Sequence, residues 1–173
     1  MEPSLFYVIG YPASGKTTAL TNAINSRVSC LHLKPFKHTH YENGFIQIGA
    51  ERNYFGGTDS LALNAQPKVI EGLSSATDGV YLGEGDRLAN IKFFTAVSEA
   101  GLGLQIINID VPEIEAEYRA YRRGHQFNPR WFKGRLTKIK NLVRFYGDKG
   151  LIQLDGKLPP DKVATALKEI ISA

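Results

Sequence analysis

The sequence has almost no cysteine, the residue whose disulfides stabilise small extracellular proteins, and it has no long apolar segment. Its 173 residues include one cysteine, Cys30, which excludes an intramolecular disulfide and a zinc site made of several cysteines. No apolar run approaches the roughly 18 residues needed to cross a membrane. An apolar run also begins within five residues of the first methionine, which leaves no space for a signal peptide. We therefore expect a cytoplasmic protein with no membrane partner.

Acidic residues are absent from one long segment of the chain. Between Tyr118 and Arg144 there are nine lysines and arginines and no aspartate or glutamate. The rest of the chain has 12 basic and 17 acidic residues, so the net charge of +4 originates in this segment. A concentration of positive charge of this kind favours an anionic ligand, either a polyphosphate or a nucleic acid.

The remaining composition is that of a folded domain. Hydrophobic residues make up 43% of the chain and charged residues 22%, which is typical of globular rather than disordered proteins. A length of 173 residues is enough for one domain with a substantial core. We therefore predict a single domain over residues 1–173, with no particular oligomeric state indicated.

Strand-like and helix-like patterns alternate along the chain. Fully apolar strands that alternate with helices imply a parallel sheet covered on both faces, and we predict a three-layer α/β fold. The predicted strands are 5–9, 28–33, 80–82, 104–110 and 151–155, and the predicted helices are 16–27, 61–74, 88–100, 112–123 and 160–171.

The most specific pattern in the chain is a candidate phosphate-binding loop. Residues 10–18 read GYPASGKTT and match G-x-x-x-x-G-K-[ST] between a predicted strand and a predicted helix. Its glycines allow backbone N–H groups to surround phosphate oxygens, and the start of the helix adds to that attraction. The alternative is an ordinary glycine-rich turn. We predict ATP binding by Gly10, Ala13, Ser14, Gly15, Lys16, Thr17 and Thr18, with Lys16 on the β/γ-phosphates and Thr17 on Mg²⁺.

Two carboxylates and an arginine follow the predicted strand 80–82. Glu84, Asp86 and Arg87 lie within four residues, separated by a glycine. Ligands of parallel sheets bind at the carboxyl ends of the strands. A carboxylate there can hold Mg²⁺ or accept the proton of a hydroxyl that attacks phosphate. The alternative is a capped turn in which Arg87 pairs with a surface acid.

A glycine-rich turn at residues 56–59 has two interpretations. It can cap a helix that begins near Ser60. It can also direct Asp59 toward the acceptor together with Arg52 and Tyr54, since an aromatic ring beside charged groups is suited to stacking a base.

Three arginines lie at helical spacing ahead of a glycine. Arg119, Arg122 and Arg123 share one predicted helix face, and Gly124 is a candidate helix end or hinge. Phosphoryl transfer develops negative charge that a mobile arginine lid can neutralise. We predict that residues 112–146 form this lid and that Arg119 and Arg123 act in catalysis.

Aromatic residues are interleaved with the cations that follow. Phe127, Trp131 and Phe132 alternate with lysines and arginines, a pattern suited to binding single-stranded nucleic acid. The alternative is a solvated helix face whose aromatic residues belong to the core.

The four histidines carry a weaker signal. His38 and His40 lack the other ligands that a zinc site needs. We expect them, like His32 and His125, to be loop or surface residues.

Taken together, these residues resemble the nucleoside and nucleotide monophosphate kinases, with a P-loop first, an arginine-rich lid, and a final strand and helix. Asp86-Arg87 is similar to the Asp-Arg pair of thymidylate kinases. A closer resemblance is to the phage-encoded 5-hydroxymethyluracil DNA kinases, and it lies in residues 11–18, 55–59, 84–88 and 131–138.

That resemblance implies transfer of phosphate from ATP to the 5-hydroxymethyl group of a modified pyrimidine in DNA, in the cytoplasm of a phage host. It implies that Asp86 is the catalytic or metal-binding acid and Arg87 its basic neighbour. Gly83 stands where ordinary P-loop enzymes have a metal-binding aspartate, so Glu84 and Asp86 share the magnesium assignment. The alternatives are a small-molecule nucleoside or nucleotide kinase and a nucleic-acid-binding ATPase. A protein that only binds nucleotide is disfavoured by Lys16 and Thr17.

Overall fold

A computed structural model describes residues 2–51, 56–123 and 127–173. Arg52 and Tyr54, which are predicted to contact the acceptor, lie outside these ranges. Gly124, a predicted helix end or hinge, and His125 also lie outside them. Within the described residues the chain forms seven strands and six α-helices. The strands are β1 Ser4–Ile9, β2 Val28–His32, β3 His38–Tyr41, β4 Phe45–Ile48, β5 Val80–Glu84, β6 Gly103–Asp110 and β7 Ile152–Asp155. The helices are α1 Lys16–Ile24, α2 Gln66–Ser74, α3 Ile91–Glu99, α4 Glu113–Arg122, α5 Pro129–Tyr146 and α6 Pro160–Ile171.

The chain divides into two compact units, each made of two segments. The first unit consists of Met1–Val8 and Ile24–Gln105, and the second of Ile9–Ala23 and Ile106–Ala173. The strand–helix alternation predicted from the sequence is present in both.

The first unit contains strands in the order β2-β3-β4-β5-β1. β5 pairs in parallel with both β1 and β4, and Glu84 at the end of β5 lies opposite Val8 in β1. β3 pairs antiparallel with β2 and with β4, so two antiparallel pairings accompany the predicted parallel ones in this part of the chain. The reason is the tight turn between β3 and β4, in which Gly44 has a φ of 90°, since short connections join antiparallel strands.

The pairing of β2 with β3 also corrects the interpretation of two histidines. His38 and His40 lie in strand β3, where a loop or surface position was expected. They are opposite His32 and Cys30 of β2. The predicted strand at 28–33 is present, but every residue of β2 is exposed, since it is the edge strand of the first unit.

An aromatic cluster fixes the position of β1 in the first unit. Tyr7 is fully buried, and its ring meets Phe93 and Phe94 of α3 edge to face at centroid distances of 6.1 and 5.0 Å. The Asn90 side chain caps α3 by accepting a hydrogen bond from the Phe93 amide. A Cβ on Gly83 would lie 2.5 Å from the Tyr7 ring. A side chain at position 83 is therefore excluded by packing, which explains the missing aspartate there.

The second unit is built on β6 and β7, which pair in parallel with Asp110 opposite Asp155. Val111, Ala116 and Phe132 form a buried cluster that joins the start of α4 to α5. Helix α6 contributes to the core of this unit through Val163, Ala164, Leu167 and Ile171, which are at most 6% exposed.

Several predicted helix boundaries shift in the structure. α1 ends at Ile24 rather than near Arg27, because Asn25 adopts a left-handed φ of 42°. The helix expected from residue 61 begins at Gln66, with a separate 3₁₀ turn at Thr58–Ser60. None of the helices in the described ranges combines the length and apolarity required to span a bilayer.

Candidate active-site residues

The predicted phosphate-binding loop has a backbone that only particular residues can adopt. Gly10, Ala13 and Gly15 all have positive φ, at 156°, 63° and 94°. A Cβ on Gly10 would lie 2.6 Å from Ser14 Oγ and 2.8 Å from the carbonyl oxygen of Ile109. Ser14 Oγ is itself buried and has no hydrogen-bond partner among the described residues. A tight loop with an unpartnered hydroxyl fits a bound phosphate group.

Helix α1 begins directly within this loop. Its first residue is Lys16, its first turn contains no acidic residue, and Thr17 and Thr18 are exposed there. The Lys16 Nζ donates hydrogen bonds to the carbonyl oxygens of Gly10 and Tyr11 at 3.0 and 2.9 Å. The loop therefore combines a helix amino terminus with an ammonium group, and both attract polyphosphate.

A cleft of about 460 Å³ lies beside the loop in the second unit. Gly15 and Thr18 line one side, Arg119 of α4 and the following Arg123 line another, and residues 156–160 after β7 complete it. The Gly156 amide donates to the Asp110 carbonyl oxygen at 2.7 Å, and a Cβ on Gly156 would lie 2.6 Å from Val111 Cγ1. The sequence interpretation missed this loop, although a glycine directly after a buried strand was a signal for it.

The predicted lid arginines separate into two environments. Arg119 donates to Glu115 Oε1 at 2.7 Å and to the Gly156 carbonyl oxygen at 3.3 Å, so its guanidinium is oriented at the edge of the cleft. Arg123 lines the same cleft. Arg122 lies over the ring of Tyr118 at 5.7 Å and does not line it.

The acidic residues after β5 are positioned within the first unit by the turn 57–59. Glu84 is 2% exposed, and a Cβ on Gly57 would lie 2.5 Å from its Oε1 atom. Thr58 Oγ1 donates to the Glu84 carbonyl oxygen at 2.9 Å. Gly57 is therefore required for the close approach of this turn to the end of β5.

Asp59 holds the backbone of the next residues. Its Oδ1 atom accepts hydrogen bonds from the amides of Asp86 and Arg87 at 3.0 and 2.9 Å. The turn at 56–59 thus caps the segment after β5 rather than an α-helix beginning at Ser60. Asp86 and Arg87 are both half-buried, which leaves part of each side chain accessible to a ligand.

Tyr7 lies beneath this acidic turn. Its hydroxyl is 2.9 Å from Thr58 Oγ1 and 3.0 Å from the Gly85 carbonyl oxygen. Burial raises the pKa of Tyr7 well above its usual value, the hydrogen bond to Thr58 opposes this, and the charges of Asp59, Glu84 and Asp86 raise it further. Tyr7 therefore stays protonated and acts as a neutral hydrogen-bonding support.

The first half of α5 carries exposed cations and an exposed aromatic ring. Trp131 is 45% exposed, and the Arg135 guanidinium lies 5.6 Å from its ring centroid. Together with Asn128, Arg130, Gly134 and Lys138, these two residues line a shallow groove of about 510 Å³. We refer to these six residues as the α5 groove.

Phe127 and Phe132 are less exposed than Trp131. Phe132 is 4% exposed and packs against Phe127 at a centroid distance of 5.3 Å, within the Val111–Ala116 cluster. Phe132 therefore contributes to the core of the second unit, as the alternative interpretation of these aromatic residues predicts, whereas Phe127 is half-buried.

Comparison with solved structures shows a shared fold. A gluconokinase from Sinorhizobium meliloti 1021 is 15% identical, with a TM-score of 0.57 over 98% of this chain and 92% of that protein. The shikimate kinase of Aquifex aeolicus is 17% identical, with a TM-score of 0.53 over 97% and 96%. A deoxyadenosine kinase from M. mycoides is 11% identical, with a TM-score of 0.51 over 98% and 100%.

These similarities confirm the predicted α/β fold. A comparison with curated proteins found no match. The model of one sequence family, described as P-loop Nucleotide Kinase3, matches residues 1–172. Since that match spans nearly the whole chain, the protein belongs to this family of P-loop nucleotide kinases.

Proposed function

We propose that this protein transfers the γ-phosphate of ATP to a hydroxyl group, and that the acceptor is the 5-hydroxymethyl group of a modified pyrimidine in DNA. The observation that carries the proposal is the phosphate-binding loop, in which Lys16 bridges two loop carbonyls beside an arginine-lined cleft. This combination suits a nucleoside triphosphate better than an isolated phosphate, since the cleft offers space for the nucleoside.

In this proposal the phosphates bind to the loop 10–18 and the nucleoside occupies the cleft. Lys16 leaves the carbonyls of Gly10 and Tyr11 and contacts the β- and γ-phosphates. Arg119 and Arg123 stabilise the negative charge that develops on the transferred group, because both face the same cleft.

The proposed reaction is a direct transfer. The acceptor oxygen forms a bond to the γ-phosphorus, and the bond between that phosphorus and the bridging oxygen of ADP breaks. The hydroxyl proton passes to the carboxylate of Asp86, and ADP leaves with the electron pair of the broken bond. Asp86 suits this role better than Glu84, because it is half-buried whereas Glu84 is enclosed at 2% exposure.

A magnesium ion bound with ATP would reduce the charge repulsion between the triphosphate and the attacking oxygen. In the second unit the exposed residue Thr17 offers a hydroxyl ligand of the kind Mg²⁺ prefers. In the first unit the half-buried Asp86 offers a carboxylate, with Glu84 as a more deeply buried candidate. Asp59 fits a positioning role instead, since its Oδ1 atom already accepts two amide hydrogen bonds.

The DNA part of the proposal is supported by the α5 groove. Helix α5 contains six lysines and arginines and no acidic residue. An exposed indole within a groove of cations provides the stacking surface and backbone attraction that bind single-stranded nucleic acid. A base in duplex DNA would have to leave the stack to reach the γ-phosphate, as in other enzymes that modify bases.

A small-molecule acceptor is the second candidate. The three solved structures described above are named as kinases of gluconate, shikimate and deoxyadenosine. Under this alternative the same phosphate-binding loop and cleft serve, and the α5 groove has no part in recognising the acceptor.

Transfer of labelled γ-phosphate tests the proposal. Parallel reactions contain DNA with 5-hydroxymethyluracil, ordinary DNA, free nucleosides, free nucleotides, or water alone. We expect label in the modified DNA only. Label in a nucleoside or nucleotide would support the second candidate, and release of free phosphate alone would contradict a kinase.

A further inference from the structure

Four side chains with nitrogen or sulfur donors occupy one face of strands β2 and β3. Cys30 and His32 are two residues apart in β2, so both project from the same face of the strand. His38 and His40 have the same relationship in β3. The antiparallel register places Cys30 opposite His40 and His32 opposite His38, which completes a two-by-two block.

The donor atoms of three of these residues converge. One ligand atom each from Cys30, His32 and His40 lies within 4.8 Å of the other two. Cys30 Sγ is 3.1 Å from His32 Nε2, and the rings of His32 and His40 meet edge to face with centroids 4.8 Å apart. The arrangement is compact enough for one ion to contact all three residues after small side-chain rotations.

His38 supports the same block from a neighbouring position. Its Nδ1 atom donates to the Phe36 carbonyl oxygen at 2.8 Å, which fixes the orientation of its ring. That ring stacks on His32 with centroids 5.0 Å apart and planes at 16°. Partners that orient a ligand histidine are a regular feature of protein metal sites.

We propose that Cys30, His32 and His40 form a binding site for Zn²⁺ or a similar borderline transition metal. One thiolate and two imidazoles are preferred ligands of such ions, and a fourth position remains for water or for His38. Mg²⁺ is excluded as the occupant because it requires oxygen ligands. The site is distinct from the acidic turn after β5, and it does not depend on the proposed kinase reaction.

The position of the site indicates a structural role. β2 is the edge strand of the first unit, and each of its residues is exposed, so burial contributes little to holding it. A metal ion bound across β2 and β3 would link this edge strand to its neighbour. Binding to the folded state alone would raise the stability of the first unit with metal concentration.

Metal titration of untagged, chelator-treated protein tests this inference. Binding of Zn²⁺ is measured by calorimetry, and binding of Co²⁺ is measured by the absorption of the cobalt–thiolate bond. We expect one ion per chain and a Tm that rises with free Zn²⁺, with no competition from excess Mg²⁺. Cys30→Ser and His40→Gln should each weaken Zn²⁺ binding by more than about 100-fold, since even outer-shell partners are worth about 10- to 100-fold.

Leu31→Ala is the matched control, because Leu31 lies between Cys30 and His32 in the same exposed strand, opposite Thr39, and projects from the other face. It should keep both the Zn²⁺ affinity and the cobalt–thiolate absorption. The assignment would be overturned if Cys30→Ser and His40→Gln bound Zn²⁺ as strongly as the control variant does. A Co²⁺ complex without thiolate absorption would also overturn it. Circular dichroism shows that each variant is folded before titration.

Discussion

At the scale of single residues, Lys16 has the most direct link between geometry and chemistry. Its ammonium bridges the carbonyl oxygens of Gly10 and Tyr11, at the loop where a triphosphate is expected. Charge on the phosphates grows in the transition state, so the lysine contributes more to turnover than to folding. We expect Lys16→Ala to lower kcat by at least about 100-fold with little change in Tm. Turnover near that of the unmodified protein would contradict the proposed role.

Asp86 and Asp59 are predicted to have different functions despite being neighbours. Asp86→Asn removes the proton acceptor while keeping the shape, and we expect a large loss of kcat with a modest change in ATP affinity. Asp59→Asn should retain most activity, because its amide oxygen can still accept from the amides of residues 86 and 87. Steady-state kinetics of both variants decide between the roles. If Asp59→Asn is inactive and Asp86→Asn is active, the two assignments must be exchanged.

Asp59→Ala extends this comparison to stability. The substitution leaves two backbone amides without their charged acceptor, and hydrogen bonds to charged groups contribute about 1.5–3 kcal/mol each. We expect a lower free energy of unfolding than for Asp59→Asn, measured by denaturant titration. Equal stability of the two variants would mean that the Oδ1 contacts do not hold the turn.

Individual residues also show which contacts can be predicted from the sequence and which cannot. The phosphate-binding loop is recognised from sequence because its contacts are local, within nine consecutive residues. The support that Asp59 gives to residues 86 and 87 spans 27 and 28 positions along the chain. Such a contact depends on the pairing of strands that are distant in sequence, which no local pattern specifies.

At the scale of secondary structure, α4 and its C-cap residue present two arginines, Arg119 and Arg123, to the cleft, whereas Arg122 does not line it. Arg119→Ala and Arg123→Ala should each reduce kcat by roughly 100-fold and change the Kd for ATP much less. Arg122→Ala is the control, because Arg122 lies over Tyr118 and does not line the cleft. A loss of ATP affinity at unchanged kcat would assign the two arginines to ground-state binding.

Helix α5 provides the test of nucleic-acid binding. If its groove holds DNA, the logarithm of affinity falls linearly with the logarithm of salt concentration, with a slope of about −0.9 per phosphate contacted on duplex. Three or four contacts give a slope of about −3, and Lys138→Ala should reduce its magnitude by roughly one. Lys168→Ala, at the end of α6, is the control and should leave the slope unchanged. An identical slope in the two variants would exclude the groove as the DNA-binding surface.

Trp131 has a different expected effect. Trp131→Ala should weaken binding of single-stranded DNA by about 1–3 kcal/mol, because stacking on one base is lost. The salt dependence should stay the same, since no cation is removed. Fluorescence anisotropy at several salt concentrations separates the two effects. A changed salt slope with unchanged affinity at low salt would contradict a stacking role.

The elements most poorly predicted from sequence are β3 and β4. Polar residues occupy much of β3, including His38 and His40, so no apolar alternation marked it as a strand. The Asn43-Gly44 pair between the strands is a strong hairpin signal and was available in the sequence.

The aromatic segment in α5 was ambiguous for another reason. Spacing alone does not separate Phe132, which is buried, from Trp131, which is exposed.

At the scale of the whole molecule, charge is distributed unevenly between the two compact units. All nine cations of the acid-free segment, from Arg119 to Arg144, belong to the second unit, which also holds the phosphate-binding loop. The acidic turn with Asp59, Glu84 and Asp86 belongs to the first unit. The positive charge is therefore concentrated in the unit that holds the phosphate-binding loop.

The α/β fold was predictable because buried strands and amphipathic helices have distinct periodicities, and the family match confirms the P-loop nucleotide kinase assignment. The acceptor substrate was harder to predict from the sequence, because substrate choice depends on side chains that are brought together only by folding. For the same reason, the convergence of Cys30, His32 and His40 was not evident in the sequence.

The central claim is tested most directly by comparing acceptors of increasing length. The value of kcat/KM for labelled phosphate transfer is measured with the 5-hydroxymethyl pyrimidine as a mononucleotide, in a short single strand and in a duplex. We predict that kcat/KM rises from the mononucleotide to the DNA strands, and that the advantage of DNA decreases at high salt. A mononucleotide that is the best of the three acceptors would contradict the account and identify a small-molecule kinase.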